Sequence, residues 1–310
     1  NVDEEIRKYE NIIRDGIEPR VVFSTRAVNV SGNKFVLVFR VNKSWFGPHR
    51  VIYKGHDKFY SRNSAGKYAL DTNELKIAFT LYQNLIEQIT KFKTERVSQI
   101  FANNLPIPFY DGGKIVLHLV PLESFTPNYN IDLDLIINNP EKLRTIYSSS
   151  WNHHRINFEG FLSYSGGRDY KAHSFVQLYR NGIIEGVDGY ILHAGRENKI
   201  IPSLTYELEL LKSLAEYLNL LKELGVNMPI VIFLTLIGVK DWKMGVDGSK
   251  FWFDESYKID RDILQLPAKI IESYDTEPKD ILRPMFDLVW NACGYKRSYN
   301  FDEAGNWVAK

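Results

Sequence analysis

Between Gly47 and Phe79 the chain reads GPHRVIYKGHDKFYSRNSAGKYALDTNELKIAF, a run in which Arg, Lys and His alternate with Phe and Tyr before the pattern turns helical. From Val36 to Ala69 there are seven basic residues, Arg40, Lys43, Arg50, Lys54, Lys58, Arg62 and Lys67, against the single acid Asp57. The whole chain carries a net charge of only +1, so the remaining residues sum to −5 (32 basic, 37 acidic) and the positive charge is local. Cations gathered in this way, with rings between them, suit a phosphate backbone and its bases. The candidate binding residues are Lys43, His49, Arg50, Lys54, Lys58, Arg62 and Lys67, with Asn63 and Ser64 as hydrogen-bond partners for phosphate oxygens. Trp45, Phe46, Phe59 and Tyr60 offer rings for stacking or for packing under a strand. Gly47-Pro48 and Ser64-Ala65-Gly66 let a ligand approach the backbone closely. The competing reading is a solvated sheet edge, where basic residues serve solubility. Uniform sign weighs against it, because unneutralised like charges repel.

Other chemistry is sparse. No Gly-rich phosphate loop of the Walker type, no G-x-G-x-x-G and no G-x-S-x-G elbow occurs, and no cofactor is expected. Cys293 is the only cysteine, which excludes an internal disulfide and a cysteine-based zinc site and points to a reducing compartment, hence the cytoplasm. It lies late on a helical pattern beside Trp290, a packing position rather than a nucleophile's. His153 and His154 are adjacent and must point apart on any regular element. His173 and His193 flank a hairpin and could approach each other together with Asp169 or Asp188, although polar hairpin ends are the simpler reading. No apolar run is long enough to span a bilayer, and MPIVIFLTLIG at 228–238 reads as a buried strand.

The elements that must position these residues are legible in outline. Residues 3–14 form an amphipathic pattern stopped by Gly16 and Pro19. RVVFSTRAVNV and KFVLVFRV follow as strands joined by Ser31-Gly32-Asn33, and the second, apolar on both faces, is expected to be central. Asp71 and Glu74 have the spacing of a capping box opening a helix to about Phe101. NNLPIPFYDGG at 103–113 marks a boundary, followed by the strand KIVLHLVPL. SFVQLYRNGIIEGVDGYILH is a hairpin with a type I′ turn expected at Asn181-Gly182. A helix over 204–224, an apolar strand over 229–237 and a helix over 278–293 complete the pattern. A charged helical start at Asn1, in place of Met, leads to the expectation that the natural protein begins earlier.

The runs NIIRDGIEPR, FVLVFRVNKSWFGPHRV and KFYSRNSAGKYALDTNELKIAF resemble the C-terminal half of the Schlafen/AlbA-like domain. The resemblance covers roughly residues 1–80, and 170–307, ending RPMFDLVWNACGYKRSYNFDEAGNW, resembles an extension that accompanies this domain in some bacterial members. It implies an α/β domain with a mixed sheet that engages nucleic acid, DNA or RNA, through basic residues. Animal relatives cleave structured RNA with two Glu and one Asp in the family's N-terminal half; no residue of this chain matches those positions, nor does any phosphate loop support the ATP-binding description some members carry. The expectation is thus an α+β protein. Its residues 1–102 form a mixed sheet with flanking helices, 103–150 a linker region with one strand, and 151–310 a second α+β domain with a hairpin and long helix. Its function is nucleic-acid binding, regulatory or defence-related. The alternatives are a metal-dependent ribonuclease whose acids lie upstream of Asn1, and a protein-interaction or homo-oligomerisation module.

Overall fold

The computed structural model describes residues 2–32, 34–41, 44, 47–64, 66–147, 152–166, 171–194, 197–246 and 257–308. The fold is α+β, with helices and mainly antiparallel sheets, and it divides into two compact units, 1–91 and 92–310. The division falls inside a long helix, not in the Pro- and Gly-rich stretch 103–113.

In the first unit, α1 (Val2–Gly16) carries Asp3, Glu4 and Glu5 in its first turn and Arg14 in its last, charges that complement the helix dipole. It ends at Gly16, where a Cβ would come within 3.1 Å of the Ile52 carbonyl oxygen. Then come β1 (Ile17–Glu18), β2 (Phe23–Ser31), β3 (Lys34–Val41), β4 (Arg50–Tyr53), β5 (His56–Asn63), β6 (Gly66–Ala69) and α2 (Thr72–Phe101). Strands β1, β4, β5 and β6 form one antiparallel sheet in that order, and β2 pairs with β3 in another. Every pairing here is antiparallel rather than mixed: β2–β3, β4–β5 and β5–β6 are hairpins with short connections, and β1 meets β4 across residues 19–49.

Strand β3 is not central. It belongs to a two-stranded hairpin, with Phe35, Val36, Val38 and Val41 between 43% and 55% exposed. Contacts such as Tyr9 against Phe39, 5.9 Å between ring centroids, cover it only in part. An apolar run on both faces states that a strand needs cover; it does not say which element supplies it.

In the second unit the elements run β7 (Lys114–Pro121), α3 (Asp134–Asn138), β8 (His153–Ile156), β9 (Gly160–Gly166), β10 (Ala172–Tyr179), β11 (Ile184–Asp188), α4 (Tyr190–Ala194) and β12 (Ile200–Pro202). They continue with α5 (Ser203–Glu223), β13 (Ile230–Ile237), β14 (Lys243–Gly245), β15 (Ile263–Gln265), β16 (Lys269–Ile271) and α6 (Pro278–Ala292). One sheet runs β15-β13-β7-β11-β10-β9-β8, with β16 also on β13. Strands β7 and β13, buried at every position, lie inside it, which is why both read as continuous apolar runs. The one strand expected within 103–150 is β7, and it lies inside the sheet. One sheet face packs Leu117, Leu119 and Ile184 against Leu210, Tyr217 and Phe286 of α5 and α6. The other packs Val116, Phe175 and Val187 against Val97 and Ile100 of α2. Among the described residues no helix is long and apolar enough to cross a membrane.

Candidate nucleic-acid interface

The basic stretch is folded into β4, β5 and β6, and their register sorts its charges by face. Side chains alternate along a strand, so His56, Lys58, Tyr60 and Arg62 share one face of β5, while Asp57, Phe59, Ser61 and Asn63 share the other. Pairing of Arg62 with Lys67 on β6, and of Val51 with Lys58 and Tyr53 with His56 on β4, adds Lys67, Val51 and Tyr53 to the first face. Lys58, Arg62 and Lys67 are exposed there, and none is within ion-pairing distance of an acid among the described residues. Arg62 and Lys67 stand directly opposite each other across the hairpin. A like-charged cross-strand pair is destabilising unless something neutralises it.

The second face is closed by other contacts. Arg50 donates to Glu18 at 2.6 Å and Asp57 at 3.3 Å, and the Glu18 hydrogen bond, aided by the charge of Asp57, raises its pKa. Phe59 packs edge-on against Phe79 of α2 at 5.9 Å, and the Tyr68 hydroxyl donates to Glu74 at 2.9 Å. The start of α2 behind this face is fixed by a reciprocal capping box: the Glu74 N–H donates to Asp71 Oδ1 at 2.8 Å, and the Asp71 N–H donates to Glu74 Oε2 at 2.9 Å.

The other candidates are dispersed. The His49 ring shares a 2.6 Å hydrogen bond with the Pro19 carbonyl oxygen, which anchors the segment before β4. Lys54 sits in the β4–β5 turn at positive φ, its ammonium 5.3 Å from the Tyr53 ring centroid. Asn63 ends β5 on the second face and Ser64 lies in the turn beyond it. Lys43, Trp45 and Phe46 lie outside the described residues. Tyr53 was not singled out by the sequence; period-two alternation carried across the turn to its partner His56 was the signal that would have found it.

In the second unit several buried carboxylates are held by internal hydrogen bonds. Glu185 on β11 is fully buried and accepts from Arg96 of α2 at 2.7 and 2.8 Å, with the His118 Nε2 at 2.9 Å. Burial alone would raise the Glu185 pKa, but the Arg96 and His118 bonds outweigh it and hold the group at about 2. Glu207 accepts from Trp290 Nε1, Ser298 Oγ and Asn300 Nδ2 at 2.6–2.9 Å. All three donors are neutral, so burial prevails and the carboxyl rises to about 7. Asp188, which accepts the Ile191 N–H, is likewise pushed by burial to about 7.

His173 and His193 are brought into one cluster through Tyr110, which stacks on His173 at 4.5 Å and lies 6.3 Å from His193. Asp169 lies outside the described residues. His153 and His154, on exposed β8, turn to different partners, Tyr164 and Phe161. Cys293 is buried in the core, and burial pushes its thiol up to about 12. Among the described residues no group of three or more His, Cys, Asp or Glu side chains gathers as a metal site requires. Compared with known proteins, the chain matches no family model, no curated protein and no solved structure.

Proposed function

We propose that this protein binds nucleic acid through the β4–β6 face of its first unit, in the manner of a Schlafen/AlbA-like domain, with a regulatory or defence-related role in the cytoplasm. The observation that carries the reading is the unneutralised pair Arg62 and Lys67, directly opposed on one exposed face with Lys58 beside them. Such an arrangement opposes folding by itself and becomes favourable when an anion with several charges occupies the face. Lys58, Arg62 and Lys67 form the centre of the interface, Lys54 and Ser64 its rim. Arg50 and His49 support the sheet. Contacts of this kind hold phosphates and position a chain without reading its sequence.

Filter binding of DNA and RNA across a salt series tests this. Three cations meeting phosphates give a log–log slope of about −3 for duplex DNA. Absence of binding at low salt rules the reading out.

A second reading, a module that pairs with another protein or a second copy of the chain, is favoured by the exposed apolar hairpin β2–β3. Light scattering of the full chain tests it, with Val36→Lys/Val38→Lys as the variant expected to remove any self-association.

A further inference from the structure

We infer that the β4–β6 face takes a single-stranded nucleic acid, its bases stacked on Tyr53 and Tyr60, in preference to a duplex; this rests on the nucleic-acid reading above. Along β5 the exposed face runs His56, Lys58, Tyr60, Arg62, so a ring stands between two cations, each about 7 Å away along the strand. Tyr53 joins the same face from β4 and is 50% exposed, and Tyr60 is half-buried at its base. Each ring has an ammonium over one face: Lys54 lies 5.3 Å from the Tyr53 centroid and Lys67 5.4 Å from that of Tyr60. A base that takes the place of the ammonium over either ring would bring its own phosphate within reach of the displaced cation. This pairing of stacking surface and charge is how sequence-tolerant single-strand binders work.

A duplex could use only half of this arrangement. Its bases already stack on one another, so the two tyrosines gain nothing from it, and three cations remain as its attraction. Nor can the β5–β6 hairpin enter a groove as a free ribbon. Its second face is backed by α2 through Tyr68 with Glu74 and Phe59 with Phe79. A helix is about 10–12 Å across, and with the strand layer added the stack exceeds the roughly 12 Å width of the major groove.

Fluorescence anisotropy on the full chain, with oligo-dT, oligo-U and a duplex of equal length, tests the inference. The single strands are expected to bind at least ~10-fold more tightly than the duplex, with a salt slope of about −2. Tyr53→Leu/Tyr60→Leu should weaken single-strand binding roughly 10- to 100-fold and leave both the salt slope and the duplex affinity unchanged. Tyr60→Phe should retain affinity, since it keeps the ring. If Tyr60→Leu unfolds the first unit, Tyr53→Leu at its half-exposed position carries the same comparison. A duplex bound as tightly as the single strands, or a single-strand affinity indifferent to the tyrosines, overturns the inference while leaving nucleic-acid binding standing. Failure of every probe to bind overturns both.

Discussion

The two units treat their charges in opposite ways. In the second, two carboxylates are buried and answered: Glu185 by Arg96 and His118, Glu207 by Trp290, Ser298 and Asn300. In the first, Lys58, Arg62 and Lys67 are collected on an exposed face without acidic partners among the described residues, while the acids nearby, Glu18 and Asp57, are engaged by Arg50 on the other side. The core differs in the same sense. Strands β7 and β13 are buried at every position, whereas α1 has no buried residue and β3 none. The like charges opposed across the β5–β6 hairpin are the ground on which a ligand is proposed for the first unit.

The contrast breaks most visibly at Arg96. Replacing it with Met strands the buried Glu185 carboxylate and should cost about 3–5 kcal/mol in urea unfolding of the full chain. Adding Glu185→Gln, which removes the unpaired charge, should recover much of that loss. If the single variant is as stable as the parent, the triad is not holding α2 to the sheet.

The next effect is a pH dependence arising in the second unit. Glu207 titrates near 7 in the fold against an ordinary 4.5, so the folded protein holds a proton that the unfolded chain releases. Its stabilising contribution is fully present below 4.5 and is lost as pH rises through about 7. Asp188, raised from 3.8 to about 7, acts in the same direction. Glu185 runs oppositely: held at about 2, its contribution is present above 4.5 and lost as pH falls toward 2. Melting temperature should therefore fall as pH rises from 4.5 to about 7, and Glu207→Gln should flatten that decline. An unchanged pH profile in the variant would show that Glu207 is not its source.

A smaller effect is expected at the start of α2. Asp71→Ala removes one arm of the capping box and should cost about 1 kcal/mol, read as a lower urea midpoint by helical circular dichroism. Smallest, and of opposite sign, is Arg62→Gln. Relieving the like-charged pair should raise stability by at most about 0.5 kcal/mol while weakening ligand binding. A clear loss of stability would instead make Arg62 a structural residue and erase the contrast between the units.

What the sequence disclosed followed from how local each feature is. The capping box was legible because Asp71 and Glu74 are three residues apart. The hairpin at Asn181-Gly182 was legible too, but not its turn type: Gly182 has φ 83° while Asn181 is absent from the positive-φ residues, which gives a type I turn closed by glycine. The Gly182 N–H donates to the Tyr179 carbonyl, and the Tyr179 N–H to that of Ile183. Long-range partners could not be read. Glu18 neutralises Arg50 from 32 residues away, and Arg96 meets Glu185 across 89. The basic run was visible as composition, but its division into a free face and a tied one needs the β4–β5–β6 register, which no single strand specifies.

That division is the central claim, and salt dependence tests it directly. The log–log slope of nucleic-acid binding should be measured for the parent chain, for Arg62→Glu/Lys67→Glu, and for Arg50→Gln, with circular dichroism confirming each fold. The account predicts that the double reversal weakens binding uniformly across sequences and flattens the slope by about 2. Arg50→Gln, on the face tied to Glu18 and Asp57, should leave the slope unchanged. A slope that flattens as much for Arg50→Gln as for the double reversal, or that ignores the double reversal, would contradict it.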